Sequence, residues 1–269
     1  MDQEKIRKYL ERIGFQGTAR ADRETLFQLH EAHFKTVPYE NLDIFLYGKV
    51  ADLDAESVYE KIVNNHRGGY CFELNGLFAE LLRGIGFQVQ EFFARWHFGE
   101  KESVPRRRHR VLKVTVPDTG ESFIADIGVG CDCPFVPLEF REDLIQERNG
   151  RDYRIVHDEQ LGVVVQTSTA EGFTHFYSFN PVPAFPQDFD YAHFWCCKGE
   201  GSPFRDNLMV CLATDRGKIR IDKDEAGNWI TRHAFFDHTH EDRFIVDEKE
   251  MEQILKEIFG ISCTIPALR

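Results

Sequence analysis

The sequence predicts an α+β protein in which a helical segment precedes a strand-rich one. Up to about residue 85, apolar residues recur at the spacing of one helix face. Between about residues 88 and 180, polar and apolar residues alternate and β-branched residues are frequent, as in strands. A mixed segment follows, and its last part, 247–259, again has apolar residues at helical spacing. These observations predict three layers of structure along the chain.

Four helices are predicted in the first 85 residues. The first ends at the turn 14–17, and the second covers 23–34. Asp54 stands at an N-cap position before the third helix. The fourth follows Cys71 and ends near Gly86. The residues spaced for burial in the first, third and fourth helices are Ile6, Tyr9, Leu10 and Ile13; Val58, Ile62 and Val63; and Leu74, Leu77, Phe78, Leu81, Leu82 and Ile85.

Strands are predicted from alternation and from the turn residues that separate the segments. The stretch 180–191 is rich in Pro and Phe and is predicted to be a connector. A terminal helix is predicted over 247–259, with four apolar residues on one face. The predicted strands are 89–96, 109–116, 122–127, 153–157, 161–168 and 175–179, and, after the connector, 208–213, 218–222 and 229–233.

Composition and charge exclude several classes of protein. The chain has 269 residues, of which 42% are hydrophobic, so it can bury roughly three quarters of its unfolded surface. No apolar run is long enough for a transmembrane helix, and we expect no membrane partner. The net charge of −12 argues against a nucleic-acid partner. The first residues do not resemble a signal peptide and the seven cysteines form no regular framework, so we expect a cytoplasmic protein.

A cysteine at the start of a predicted helix is the most informative residue. Cys71 follows the glycine pair Gly68 and Gly69 and opens the fourth helix. A helix N-terminus presents unpaired N–H groups and a positive dipole end, which favour a thiolate over a thiol. A thiolate is the nucleophile of cysteine-dependent catalysis. A buried structural cysteine is the alternative, and the presence of a nearby base decides between the two.

A histidine and an aspartate on a predicted hairpin supply such a base. Strands 109–116 and 122–127 flank the turn cluster 117–120. If opposite residues have numbers that sum to 237, or to 235 after a slip of two, His109 and Asp126 share one face. A carboxylate beside a histidine fixes its tautomer and stabilises the imidazolium. Together with the cysteine, the pair favours a Cys-His-Asp triad over a structural hydrogen bond.

These segments resemble the arylamine N-acetyltransferase family. The resemblance rests on four motifs in the family's order, spread over roughly residues 30–135. They are Val37-Pro38-Tyr39-Glu40-Asn41-Leu42 after His33, Arg67-Gly68-Gly69-Tyr70-Cys71-Phe72-Glu73-Leu74-Asn75, His109-Arg110-Val111-Leu112-Lys113-Val114 and Ala125-Asp126-Ile127-Gly128-Val129-Gly130. The resemblance implies a helical bundle over 1–85, a β-barrel over 86–190 and an α/β lid over 191–269. It places a cysteine-protease-like triad where the first two meet.

The resemblance also implies acetyl transfer by a ping-pong mechanism. Cys71 takes the acetyl group from acetyl-CoA and passes it to an arylamine, an arylhydrazine or an N-hydroxyarylamine. His109 serves as the base and Asp126 orients it. Backbone N–H groups around Cys71 are expected to stabilise the tetrahedral oxyanion.

Further residues are predicted to bind the two substrates. A run of three arginines adjoins the predicted base, and guanidinium groups suit the phosphates of coenzyme A. The alternative for this run is a solvated loop, or a charge balance against Glu100 and Glu102. The predicted coenzyme A contacts are Arg106, Arg107, Arg108, Gly128 and Gly130, and the predicted acceptor contacts are the apolar residues Phe93, Trp96, Val129 and Phe204.

Two departures from the family pattern bear on the substrates. The family commonly has Phe at the position of Val129, and the smaller side chain opens the pocket wall. The family also commonly has Phe at the position of Tyr39. Both changes affect which acceptors fit, and neither removes a member of the triad.

Two other functions remain open from the residues alone. A transglutaminase-like or other Cys-His-Asp hydrolase uses the same triad with water or lysine as the acceptor. A non-catalytic relative that acts as a binding module would have a thiol of ordinary reactivity. No metal is expected, because the fragments Cys131-Asp132-Cys133 and Cys196-Cys197 lack the ligand spacing of a zinc site.

Overall fold

The computed structural model describes residues 1–100, 102, 104–130 and 133–266 as an α+β fold. Helix α4 continues as a π-helical turn over Glu60–Asn64, and a 3-10 turn over Pro186–Phe189 leads into α6. The helices are α1 (Gln3–Arg12), α2 (Arg23–Thr36), α3 (Leu42–Phe45), α4 (Ala55–Tyr59), α5 (Cys71–Ile85), α6 (Asp190–Lys198), α7 (Pro203–Asp206) and α8 (Glu248–Phe259).

Two antiparallel sheets contain the strands of the described residues. The larger sheet has the order β5-β4-β3-β2-β9-β8-β7-β6, and the smaller, which we call the lid sheet, has the order β1-β10-β11-β12-β13. The strands are β1 (Tyr39–Glu40), β2 (Gln88–Trp96), β3 (Arg107–Thr115), β4 (Ser122–Ala125), β5 (Leu138–Glu139), β6 (Gln146–Arg148), β7 (Arg151–Asp158), β8 (Gly162–Thr169), β9 (Gly172–Phe179), β10 (Val210–Thr214), β11 (Gly217–Lys223), β12 (Trp229–Phe235) and β13 (His240–Phe244).

The larger sheet curves into a nearly closed barrel, as predicted. Its two edge strands, β5 and β6, are joined through the side chain of Gln146. The amide of Gln146 donates to the carbonyl of Glu139 at 3.0 Å and accepts from its N–H at 2.8 Å. Between the two edge strands, one side chain thus takes the place of a pair of backbone hydrogen bonds. Fewer backbone N–H and carbonyl groups of the edges are left without a partner.

Local signals set the helix ends. Asp2, Asp22, Asp54 and Asp247 each accept a backbone N–H from the first turn of the helix that follows. Helix α5 ends at Gly86, whose φ of +118° lies in the region that favours glycine. The predicted N-cap at Asp54 and the predicted end of the fourth helix are therefore confirmed.

The core of the protein places the start of α5 at a junction. The rest of α5 packs into the main hydrophobic cluster, where Leu74 and Phe78 meet Val111 and Phe123 of the barrel. A second cluster lies between the lid sheet and α8. A third contains Cys71 together with residues of α6 and α7. The first residue of α5 therefore lies where the bundle, the barrel and the later helices meet.

Two segments differ from the sequence prediction. The predicted connector is partly helical, because Pro186 occupies the first position of a 3-10 turn, where its missing N–H is tolerated. The lid sheet includes β1 from the first segment, with Tyr39 paired to Cys211. Since this pairing links the first and last segments, the division into domains at 85 and 190 stays a prediction. In the described part of the chain, no helix is long and apolar enough to span a membrane.

Candidate active site

Cys71 is the first residue of α5 and is only 2% exposed. Its Sγ lies 3.7 Å from the carbonyl oxygen of Arg108. The loop after β4 passes directly over it at Gly128. A Cβ on residue 128 would lie 2.7 Å from the Cα of Cys71, which real Cβ atoms essentially never do. Glycine at this position therefore allows the loop to approach the sulfur.

Strands β3 and β4 bring His109 next to Asp126. The strands pair in the register that sums to 237, with Leu112 opposite Ala125, which confirms one of the two predicted registers. His109 Nε2 lies 2.6 Å from Asp126 Oδ2, and both side chains are buried. Cys71 lies on the same cavity as His109, and its interaction with the ring is among the causes that raise the pKa of His109. The structure thus brings together the three residues predicted as a triad.

A β-bulge in β3 shapes the site beside the sulfur. Ala94 pairs with His109 and Arg95 pairs with Arg107, so Arg108 is the extra residue. Its carbonyl oxygen faces the Cys71 thiol, and its side chain lines the cavity described below. The bulge therefore sets Arg108 apart from the two arginines before it.

Several groups hold the carboxylate of Asp126 in place. Its Oδ1 accepts from Asn75 Nδ2 at 2.8 Å and from the N–H of Gly128 at 3.0 Å. Asn75 is fully buried and also bonds the backbone on both sides, donating to the carbonyl of Arg110 and accepting from the N–H of Ile127. This leaves Oδ2 directed at His109, so the carboxylate has one orientation.

Burial and charge act in opposite directions on the pKa of His109. Burial alone lowers the pKa, because it favours the neutral ring. The charge and hydrogen bond of Asp126, followed by the interaction with Cys71, outweigh burial and raise the pKa from its ordinary 6.5 to about 10. The environment therefore favours the imidazolium at neutral pH, which suits a base that has taken a proton from a thiol.

His30 provides a neutral contact behind the triad. Its Nε2 accepts the backbone N–H of Asp126 at 3.1 Å, and its Nδ1 donates to the carbonyl of Phe135 at 2.9 Å. Burial lowers the pKa of His30 to about 4, so the ring stays uncharged at neutral pH. His30 thus positions the backbone at Asp126 without adding a positive charge.

A buried charge cluster anchors the loop before Cys71. Arg67 contacts Glu40 Oε1 through Nε at 2.9 Å and through a terminal nitrogen at 2.8 Å. Glu73 accepts the N–H of Tyr70 at 3.1 Å and pairs with Lys61 at 2.8 Å. Glu40 is fully buried and Glu73 is 3% exposed. These contacts fix the start of α5, so the cluster holds the position of the nucleophile.

A cavity of about 350 Å³ opens onto Cys71 and His109. The barrel and the loop after β4 form one wall, and the lid sheet forms the other, with Arg220 and Ile221 among its residues. Helix α7 contributes Phe204. Six of the residues predicted to contact substrates line this cavity, namely Trp96, Arg108, Gly128, Val129, Gly130 and Phe204.

Phe93, predicted to line the acceptor pocket, lies outside this cavity. Its ring centroid is 4.7 Å from that of Phe189, and it borders a separate surface groove with Tyr191 and Trp195. Phe93 and Trp96 are three residues apart on one strand, so the pleat directs their side chains to opposite faces. The alternation of side chains along β2 could therefore have shown from the sequence that Phe93 and Trp96 do not share a pocket.

The three predicted phosphate-binding arginines do not form one cluster. Arg108 lines the catalytic cavity, where it pairs with Glu100 and lies 5.8 Å from the ring centroid of Phe204. Arg106 and Arg107 border the separate groove, and Arg106 lies 5.0 Å from the Trp195 ring. For Arg108, the charge balance against Glu100 is therefore confirmed.

Sequence reasoning missed Asn75 and His30 as parts of this site. Asn75 lies four residues after Cys71 and therefore on the same face of α5, which was an available signal. His30 approaches from α2 across 96 residues of sequence, and no local pattern indicates that contact. Among the described residues, no group of three His, Cys, Asp or Glu side chains could hold a metal ion. Cys131 and Asp132, of the Cys131-Asp132-Cys133 fragment, lie outside the described residues.

Comparisons with known proteins find relatives over most of the chain. A family model described as N-acetyltransferase matches residues 22–268. An arylamine N-acetyltransferase of Escherichia coli is 32% identical over 257 residues, which cover 95% of this chain and 88% of the relative. A relative from Salmonella typhimurium, named arylamine N-acetyltransferase / N-hydroxyarylamine O-acetyltransferase, is 33% identical over 88% of this chain and 82% of its own length.

Solved structures are similar over nearly the whole chain. The arylamine N-acetyltransferase of Salmonella typhimurium has a TM-score of 0.87 at 30% identity and covers 97% of this chain and 92% of its own. That of Mycobacterium marinum in complex with CoA has a TM-score of 0.83 at 27% identity and covers 95% and 92%. The family model and the relatives together show that the chain belongs to the arylamine N-acetyltransferase family.

Proposed function

We propose that this protein moves an acetyl group from acetyl-CoA to arylamines, arylhydrazines or N-hydroxyarylamines through an S-acetyl intermediate on Cys71. The observation that carries the proposal is the buried His109–Asp126 hydrogen bond beside Cys71, with Cys71 and His109 both lining one cavity. Membership of the arylamine N-acetyltransferase family supports the reaction class.

In the first half-reaction, the Cys71 thiolate attacks the carbonyl carbon of the acetyl-CoA thioester. The proton of the Cys71 thiol resides on His109, because the charge of Asp126 favours the imidazolium. When the bond between the carbonyl carbon and the CoA sulfur breaks, His109 returns this proton to the leaving thiolate. Coenzyme A departs as the thiol, and Cys71 carries the acetyl group.

In the second half-reaction, the nitrogen of the acceptor amine attacks the acetyl carbon on Cys71. The neutral His109 takes a proton from that nitrogen as the new bond between nitrogen and carbon forms. The bond between carbon and the Cys71 sulfur then breaks, which releases the amide. The products of this step are a thiolate and an imidazolium, so the site returns to its starting state.

The tetrahedral intermediate of each step carries a negative oxygen. Cys71 begins α5, and the first N–H groups of a helix have no acceptor within the helix. These groups and the positive end of the helix dipole supply hydrogen-bond donors beside the sulfur. The first turn of α5 is therefore proposed as the source of the oxyanion hole.

The cavity lining supports a division between acceptor and donor contacts. Trp96, Val129 and Phe204 offer apolar surface for the ring of an aromatic amine. Gly128 and Gly130 let the backbone approach the thioester closely, and Arg108 adds a charge at the same wall. Arg106 and Arg107, which lie in the separate groove, are proposed only as outer contacts for the phosphates of coenzyme A.

The described cysteines support a reducing, cytosolic environment for this enzyme. Cys71, Cys196, Cys197 and Cys263 are free thiols. Acetyl-CoA and the acceptor are proposed as its small-molecule partners, and the charge of −12 disfavours nucleic acid.

Release of coenzyme A from acetyl-CoA tests the proposal, measured with and without an arylamine in the wild type and in Cys71→Ser. We expect release that depends on the amine and is lost in Cys71→Ser, while Cys263→Ser, a change at a half-buried cysteine packed beside α8, keeps the wild-type rate. Release that depends on Cys71 but proceeds equally without amine would identify a hydrolase. No release from the folded wild type would identify a binding protein.

A further inference from the structure

Arg220 is a charged residue of the catalytic cavity that the acetyl transfer described above does not use. It lies on β11, opposite Cys211 of β10 on one side and Arg232 of β12 on the other. It forms part of the cavity wall that faces the triad from the lid sheet. We propose that Arg220 recognises an anionic group, a carboxylate or a phosphate, on a substrate bound in this cavity. This inference rests on the proposed transferase function.

The guanidinium of Arg220 has a donor left over. One terminal nitrogen pairs with Asp222 Oδ2 at 2.8 Å. The Nε atom, in contrast, is buried and has no hydrogen-bond partner among the described residues. This Nε atom is itself closed off from solvent, but the Arg220 side chain as a whole is 36% exposed at the cavity wall. A bound anion can therefore pair with the accessible part of the guanidinium, which Asp222 does not cover.

Exposure favours Arg220 over the other arginine of the cavity, Arg108. Each of the two is paired with one carboxylate of the cavity wall, Arg108 with Glu100 and Arg220 with Asp222. The Arg108 side chain is only 10% exposed, whereas that of Arg220 is 36% exposed. Arg220 is therefore the more accessible cation, and guanidinium groups bind carboxylates and phosphates through charge-assisted hydrogen bonds.

The rest of the lining suits an aromatic ring that carries a negative substituent. Trp96, Val129 and Phe204 provide apolar surface, while Arg220 comes from the lid sheet. Ligand sites usually have volumes of about 300–1,000 Å³, so this cavity, at about 350 Å³, suits a small ligand. An aminobenzoate matches this division of apolar and cationic surface. The phosphates of acetyl-CoA carry the same kind of charge and are the other possible source of the anion.

Steady-state kinetics of Arg220→Gln test the assignment with three substrates. In a ping-pong mechanism, the kcat/KM of each substrate depends only on its own half-reaction. 4-Aminobenzoate and the uncharged 4-aminobenzamide have similar shapes and differ in charge. We expect kcat/KM for the benzoate to fall about 10- to 100-fold in Arg220→Gln, with the benzamide changed less than about twofold. Arg220→Lys, which keeps the charge, should retain part of the preference.

Arg232→Gln is the matched control. This arginine pairs with the same Asp222 and lies on the next strand, but it is not part of the cavity wall. Arg232→Gln should leave the ratio of kcat/KM for the benzoate to kcat/KM for the benzamide unchanged. If Arg220 instead meets a phosphate, kcat/KM for acetyl-CoA falls, while the phosphate-free donor S-acetyl-N-acetylcysteamine is unaffected.

Two results would overturn the inference alone. One is that Arg220→Gln keeps the wild-type ratio of kcat/KM for the benzoate to kcat/KM for the benzamide, and also keeps the wild-type kcat/KM for acetyl-CoA. The other is an equal loss for charged and uncharged substrates alike, which would indicate a structural role. Failure of the proposed function looks different, because the wild type would then acetylate neither amine.

Discussion

The triad side of the cavity is held by more contacts than the lid side. Cys71 is 2% exposed, and His109 and Asp126 are 4% exposed. Both carboxylate oxygens of Asp126 accept hydrogen bonds from the barrel or from α5. On the lid sheet, the Arg220 and Asp222 side chains are 36% and 34% exposed and form a single ion pair at the cavity, with one guanidinium nitrogen unpartnered.

This difference separates the chemistry from the choice of substrate. Proton transfer between Cys71 and His109 needs a fixed geometry, which the buried network around Asp126 supplies. Under the proposed function, substrate recognition depends on side chains that border open space, such as Val129, Phe204 and Arg220. Changes to the buried triad network should therefore abolish activity or stability, and changes to the cavity lining should alter selectivity.

The largest effect is expected from Asp126→Asn. The amide cannot stabilise the imidazolium of His109, and it can fix the wrong tautomer, so kcat should fall on the order of 10³- to 10⁴-fold. Single-turnover release of coenzyme A measures the loss. Asp118→Asn, in the exposed turn of the same hairpin, should keep the wild-type rate. Loss of less than tenfold in Asp126→Asn would show that the triad side is not held as described.

The pH dependence of stability should reveal the same pair. The folded-state pKa of His109, about 10, is above its ordinary 6.5. Its contribution to stability is therefore fully present below pH 6.5 and is lost as the pH rises from 6.5 towards 10. Urea unfolding of the wild type and of Asp126→Asn should give a stability difference that shrinks over this window. A difference that stays constant with pH would argue against a raised pKa.

A buried and an exposed ion pair compare the two sides directly. Glu40→Gln breaks the fully buried contact with Arg67 and should lower the free energy of unfolding by about 3–5 kcal/mol. Asp242→Asn breaks a lid-sheet pair with Arg232 and should lower it by less than about 1 kcal/mol. Chemical denaturation measures both. Equal losses would remove the contrast between the two sides.

A smaller effect, on selectivity, is expected from Val129→Phe. The larger ring occupies part of the cavity next to Trp96 and Phe204. We expect kcat/KM for a fused-ring amine such as 2-aminofluorene to fall about tenfold relative to aniline. The melting temperature controls for damage to the fold. A preference that moves towards the larger amine would show that Val129 does not limit the acceptor.

The sequence predicted the local parts of the site better than the distant ones. Cys71 at a helix start and the register between His109 and Asp126 both depend on periodicity and on one short turn. The separation of Arg108 from Arg106 depends on a bulge that alternation does not reveal.

Contacts between distant segments were beyond the sequence signals. His30 reaches Asp126 from α2, and β1 joins the lid sheet across about 170 residues. Such pairings are decided by the packing of the whole fold, so they cannot be predicted from residue spacing. Helix α6 was not predicted, because the Pro-rich connector was extended to residue 191. The last proline of that segment is Pro186, so a helix can begin soon after it.

The central claim is that the acetyl group passes through the sulfur of Cys71, and mass spectrometry of the intact protein tests it most directly. After mixing with acetyl-CoA and no acceptor, the wild type should gain the mass of one acetyl group, located by peptide mapping on Cys71. Adding 4-aminobenzamide should remove that mass and yield the acetylated amine. Amide formation without acetylated Cys71, or acetylation at another residue that turns over equally fast, would contradict the account.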